Sequence, residues 1–158
     1  MKRVLCGLLT AGALLLPLSG QAQDVAESKK EIQIKAHWYT DLADAQKAAR
    51  EQKRPILLLF TGSTWCPPCK MLERNVLSKK EFAAFAQQHL ILLKVDIPRG
   101  SSEKLSPAAQ QLLKKYPSQS VPTLFLLDAD GKVLEKQTGA SRDLASFIQR
   151  FKLLKDKK

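Results

Sequence analysis

The sequence predicts an α/β fold, a central mixed β-sheet with helices on both faces. Three observations carry this. Ile56–Phe60 and Leu90–Val95 are apolar runs of strand length without polar alternation, as expected of strands buried on both sides. Amphipathic helical stretches separate the strand-like runs. Near the C-terminus, Thr123–Leu127 and Lys132–Gln137 read as strands joined at Asp128–Gly131, a hairpin signal that adds antiparallel pairing to the sheet.

The elements follow in order. Ile32 and Ile34 alternate with polar residues over Glu31–Ala36, a short strand signal. Thr40 or Asp41 can cap a helix whose stripe is Leu42, Ala45, Ala48 and Ala49. Pro55 closes that region, and the strand Ile56–Phe60 runs into a cysteine motif. A helix opening at the motif turns Met71, Leu72 and Val76 inward. Ser78 with Glu81 has the spacing of a capping box, so a break is expected near Leu77, with a second helical segment bearing Phe82 and Phe85. After Leu90–Val95 comes a polar loop over Pro98–Ser106. Ser106 and Pro107 then read as N-cap and first helical position of a helix through Leu112 and Leu113. Following the hairpin, Ser141 is the expected cap of a last helix with Leu144, Phe147, Ile148 and Phe151 on its inner face.

The first 22 residues read as a signal peptide. Lys2 and Arg3 precede an apolar run over Val4–Leu18, and Gly20 and Ala22 set small residues before a cut after Ala22. The run is too short and too poorly flanked for a membrane span, so no stable membrane anchor is expected. Residues 23–30 then form a flexible leader, 31–154 the domain and 155–158 a basic tail. The chain carries a formal charge of +11; losing Lys2 and Arg3 lowers it by two, to +9. The cations are spread along the chain without interleaved aromatics. They read as a solvated surface, and nucleic acid is not an expected partner.

Cleavage would also remove Cys6, leaving Cys66 and Cys69 from three cysteines. A bridge between them closes a tiny loop that constrains the unfolded chain little, so stability is a poor reason for it. The motif Trp65-Cys66-Pro67-Pro68-Cys69-Lys70 lies between a buried strand and a helix. A thiol at a helix N-terminus meets free backbone N–H groups and the positive end of the helix dipole, and both favour thiolate, the nucleophile of disulfide exchange. Cys66, the outer residue, is the expected attacking thiol. Cys69, inside the first turn and more buried, is the expected resolving thiol. Pro67 and Pro68 stiffen the turn but remove two N–H donors, so support for a Cys66 thiolate falls on the Cys69 N–H and the dipole. A zinc site ordinarily needs four ligands; there is no second cysteine pair, and His37 and His89 are the only histidines, so no metal site is expected. Cu(I) held by the two thiolates is the chemical alternative.

At this motif the sequence resembles the thioredoxin superfamily. It is most similar to small signal-peptide-bearing thioredoxin-like proteins and to the C-terminal domain of the thiol:disulfide interchange protein DsbD. Lys94-Val95-Asp96, Val121-Pro122-Thr123, Asp130-Gly131 and Gly139 extend the likeness from about His37 to Phe151. The resemblance implies a thioredoxin fold with a cis peptide bond at Pro122 beside the Cys66 sulfur. It also implies that the Val121 backbone pairs with an extended substrate strand, and that Trp65, with Pro67 and Pro68, forms the surface a substrate meets. One position departs from the pattern. The family carries a buried Asp six residues before the first motif cysteine, where this chain has Phe60. Glu73, one helical turn after Cys69 and matched by a Glu in the DsbD domain, is the candidate replacement as proton acceptor. Lys94 matches a lysine that lies near that Asp in thioredoxins.

The function expected is that of a periplasmic or secreted enzyme, a monomer. It would reduce or exchange protein disulfides with no cofactor beyond the Cys66–Cys69 couple and be recharged by a membrane electron donor. Its potential is expected nearer thioredoxin's, about −270 mV, than that of the oxidant DsbA, about −120 mV. The alternative is a thioredoxin-fold binding module or Cu(I) metallochaperone using the same pair.

Overall fold

The computed structural model describes residues 35–100, 104–141 and 143–155. The signal peptide, the leader and most of the Glu31–Ala36 strand lie outside them. In chain order the elements are β1 (Trp38–Tyr39), α1 (Leu42–Gln52), β2 (Ile56–Thr61), α2 (Pro67–Leu72), a π-helical turn (Glu73–Leu77) and α3 (Lys80–His89). Then come β3 (Ile91–Asp96), α4 (Pro107–Lys115), β4 (Thr123–Leu127), β5 (Val133–Thr138) and α5 (Leu144–Lys155). The sheet order is β1-β3-β2-β4-β5. β3 is parallel to β1 and β2, while β4 is antiparallel to both β2 and β5. This is the expected mixed sheet.

Alternation along the strands divides the core between two faces. Leu58 and Phe60 of β2 join Leu93, Val95 and Phe125 under α1 and α4. Leu57 and Leu59 join Leu92, Leu124 and Leu126 under α2, α3 and α5. All six β2 residues are buried, which is why that strand reads as unbroken apolar sequence. The first helix presents Ala45, Ala48 and Ala49, whose small side chains let it lie close to the sheet. On the other face Phe82 packs edge-on against Phe147, and Phe85 against Phe151. No buried side-chain N or O atom among the described residues lacks a hydrogen-bond partner.

Caps fix the helix starts, and some differ from expectation. Asp41 accepts the Ala43 and Asp44 N–H groups, and Ser106 accepts that of Ala109, as the sequence predicts. Ser78, expected to cap α3, does not: the N-cap is Lys79, with no side-chain bond. The chain breaks near Leu77 through the π turn, whose Ser78 N–H donates to Glu73 O at 2.8 Å. This places the Ser78 hydroxyl on the Glu73 carboxylate, 3.1 Å away. Nor does Ser141 cap α5. Its hydroxyl accepts from Gln137, while Asp143, nearer the helix, takes the Ser146 N–H at 2.8 Å. These bonds hold the Asp143 carboxyl below its ordinary pKa, chiefly through the Ser146 N–H and then the Ser146 hydroxyl.

Candidate active site

The site forms where β2 and β3 end and β4 begins. The last β2–β4 pair is Phe60 with Thr123, so the loop leaving β2 and the loop entering β4 lie side by side. Cys66 is in the first and Pro122 in the second. The Val121–Pro122 bond is cis, as the resemblance implies, and Cys66 Sγ lies 3.6 Å from Val121 O. The β4 loop is itself tied down. Thr123 Oγ1 donates to Ser120 O at 2.7 Å, and the Gly139 N–H donates to Pro122 O at 2.8 Å.

Cys66 is the N-cap of α2, and Pro67 and Pro68 fill the first helical positions, where an N–H has no intrahelical partner. The Cys69 N–H donates to Cys66 Sγ at 3.3 Å, the bond left once both prolines have removed theirs. The two sulfurs are joined as a disulfide. The expectation that Cys69 is the more buried of the two is not met, because both are 3% exposed. In the disulfide the two sulfurs cover each other, and the β4 loop lies against Cys66. What distinguishes them is their neighbours. Cys66 faces the edge shared with Val121 O, whereas Cys69 Sγ accepts the Gly62 N–H at 3.4 Å.

Gly62 is a residue that sequence reasoning missed. Its carbonyl accepts the Cys66 N–H at 2.9 Å while its own N–H serves Cys69, so one residue braces both cysteines. The half-buried Trp65 lies against it: a Cβ on Gly62 would fall 2.6 Å from the indole Cε2. The indole N–H donates to Ile97 O at 2.7 Å, tying this loop to the end of β3. A second tie runs parallel to it, since the Ser63 N–H and hydroxyl both donate to the Asp96 carboxylate. The available signal was a glycine placed straight after a buried strand and three residues before a tryptophan.

The other candidates fall as follows. Phe60 is fully buried and packs edge-on against Phe125 at 6.0 Å. Lys94 does not share its face. β2 and β3 pair Leu59 with Lys94 and Phe60 with Val95, and the Lys94 ammonium lies 5.1 Å from the Trp38 ring centre. Glu73 is exposed, with its carboxylate bonded to Ser78. His37 and His89 make ring contacts, with Tyr39 and Phe85. Among the described residues no three of His, Cys, Asp or Glu cluster in a way that could hold a metal ion.

A family model described as "Thioredoxin-like domain" matches residues 42–155. The chain belongs to this thioredoxin-like family. Disulfide bond reductase DsbH of Chlamydia pneumoniae is 28% identical over 161 residues, covering 96% of each chain. Thioredoxin H3 of Arabidopsis thaliana is 31% identical over 112 residues, 70% of this chain and 80% of the plant protein. Among solved structures, a DsbH oxidoreductase superposes with a TM-score of 0.66 at 29% identity, covering 76% of this chain and 84% of its own. The oxidised C-terminal domain of Neisseria meningitidis DsbD shares the fold, with a TM-score of 0.57 at 22% identity, covering 74% of this chain and 98% of that domain. With its cysteine pair on a helix N-terminus, this thioredoxin-like chain is a thiol–disulfide oxidoreductase of the Dsb/thioredoxin type.

Proposed function

We propose that the protein is an extracytoplasmic protein-disulfide reductase that works through its Cys-Pro-Pro-Cys dithiol. The observation that carries the reading is the setting of Cys66: the Cys69 N–H and the helix dipole favour its thiolate, and the cis-proline loop alongside offers backbone to an extended substrate. The apolar run and the Gly20-x-Ala22 pattern ahead of the domain support export. No helix among the described residues is long and apolar enough to cross a membrane.

The reaction runs in two exchanges. The Cys66 thiolate attacks one sulfur of a substrate disulfide, forming a mixed disulfide and expelling the other sulfur as thiolate. Cys69 loses its proton and attacks Cys66 Sγ. The Cys66–Cys69 bond forms, the substrate's second thiolate leaves, and two electrons have passed to the substrate. The Gly62 N–H stabilises the developing Cys69 thiolate. Glu73, one turn beyond Cys69, is our proposed proton acceptor, acting through water. A dithiol donor on the membrane would return the electrons, and the protein would act as a monomer.

The test is reduction of insulin by dithiothreitol with and without the protein. Catalysis is expected from the parent and none from Cys66→Ser. Cys69→Ser is expected to accumulate mixed disulfides. If insulin precipitates no faster with the parent than without it, the reading is wrong.

A further inference from the structure

Beyond the cysteines, α2 carries an outward-facing surface that the exchange chemistry does not use. Pro67 and Met71 lie one turn apart and both are exposed, so Met71, expected to turn inward with Leu72 and Val76, instead faces out while those two are buried. Met71, at 40% exposure, is one of three large hydrophobic side chains exposed among the described residues; the other two, Val133 and Leu134, lie together on the edge strand β5. Beside this apolar stripe run Lys70 and Arg74, also one turn apart and exposed. Neither side chain makes an ion pair or hydrogen bond with a described residue, although Glu73 lies between them in sequence. The Glu73 carboxylate is occupied by the Ser78 hydroxyl. The other acid near the motif, Asp96, is likewise occupied, by Ser63. The acids at this end are bonded internally while the cations are left open, on a chain whose formal charge is +11. The Lys70 N–H donates to Cys66 O, which sets this surface one helical turn from the reacting sulfur.

Resting on the reductase reading above, we propose that Pro67, Met71, Lys70 and Arg74 form a docking ridge for one class of partner. That partner is a protein whose disulfide is flanked by apolar and acidic side chains. Its apolar group would cover Met71 and its carboxylates would meet Lys70 and Arg74 while Cys66 attacks. Exposed charges contribute modestly one at a time, so the ridge ranks substrates and does not exclude any.

Three oxidised peptides test this, each closed by one disulfide and flanked by Glu-Leu, Gln-Leu or Lys-Leu pairs. kcat/KM for their reduction is measured at low and at physiological salt. The parent is expected to favour the Glu peptide over the Lys peptide about tenfold, the scale of two exposed pairs turned from attractive to repulsive, with a smaller ratio at higher salt. Lys70→Glu/Arg74→Glu should invert the order, and Lys70→Gln/Arg74→Gln should level it. The ratio between peptides is the readout, so a general change in Cys66 reactivity cancels. Equal rates for the three peptides with the parent, or an order that survives charge reversal, would overturn the ridge and leave the reductase reading intact. Failure of the parent to reduce any of the three would overturn both.

Discussion

The α-carbon of Gly62 is the seat of the Trp65 indole; a methyl group there would lie 2.6 Å from Cε2. The fit ties side-chain size at one position to the aim of the cysteine loop. Gly62→Ala is therefore expected to push the indole off Ile97 O and to destabilise the protein by about 1–3 kcal/mol, the usual cost of overpacking. In a Trp65→Ala background the same change should cost far less. A double-mutant cycle by urea denaturation of the oxidised protein measures the coupling, and additive effects would show that the two residues are independent.

Glu73 can be tested by separating its two roles. Gln keeps an acceptor for the Ser78 hydroxyl but cannot take a proton, whereas Ala loses both. Glu73→Gln is expected to leave the thermal midpoint unchanged and to slow resolution of a trapped mixed disulfide severalfold near neutral pH. Glu73→Ala should slow it equally and also lose about 0.5–1 kcal/mol of stability. If Glu73→Gln resolves at the parent rate with the parent pH profile, the residue only latches the π turn.

Phe60→Asp introduces the acid that the resemblance to thioredoxins leads one to expect at this position. Here it would enter an apolar site opposite Phe125, and about 3–5 kcal/mol should be lost from packing alone. Burial would raise the new carboxyl's pKa in the folded protein. An acid whose folded pKa lies above its unfolded one loses its contribution as pH rises from the unfolded value through the folded one, so the deficit should be smallest in acid and grow from the ordinary carboxylate range up through the raised pKa. Denaturation across pH checks this. Single-turnover kinetics should show faster release of the mixed disulfide near neutral pH if the new acid reaches Cys69.

Asp143→Asn separates charge from capping. The folded Asp143 carboxyl titrates lower than in the unfolded chain, so its contribution is present above the unfolded pKa and fades as pH falls through the folded one. Asn keeps an acceptor for the Ser146 N–H but has no such titration. The parent's advantage in thermal midpoint over Asn is expected at neutral pH and should vanish in acid.

Most of the fold was legible because periodicity and burial agree. Unbroken apolar sequence marked β2, and the strand-turn-strand pattern around Asp128–Gly131 marked the hairpin. Ser106 before Pro107 named its own helix start, because proline fits only the first turn. Other features depended on where the chain had already been carried. Ser78 and Lys79 compete for one cap position, and the π turn decides by drawing the Ser78 hydroxyl back to Glu73. Ser141 has the chemistry of a cap, but Gln137 reaches it first. Trp38 and Tyr39 form too short a strand to show a period, and β1 exists because β3 offers them an edge. The cysteines were legible from spacing and placement. Gly62 was not, because its importance lies in the absence of a side chain where an indole comes to rest.

All six residues of β2 are buried, with paired strands along both edges and helices over both faces. Amides in such a strand exchange with solvent only when the whole cooperative unit opens. The dithiol hangs from this strand by a short loop, so it is fastened to the part of the molecule that gives way last. Fraying of α5 or of the edge strand β1 would leave the spacing of Cys66 and Val121 as it is. The geometry that sets Cys66 against the Val121 backbone is then lost together with the fold and not before it.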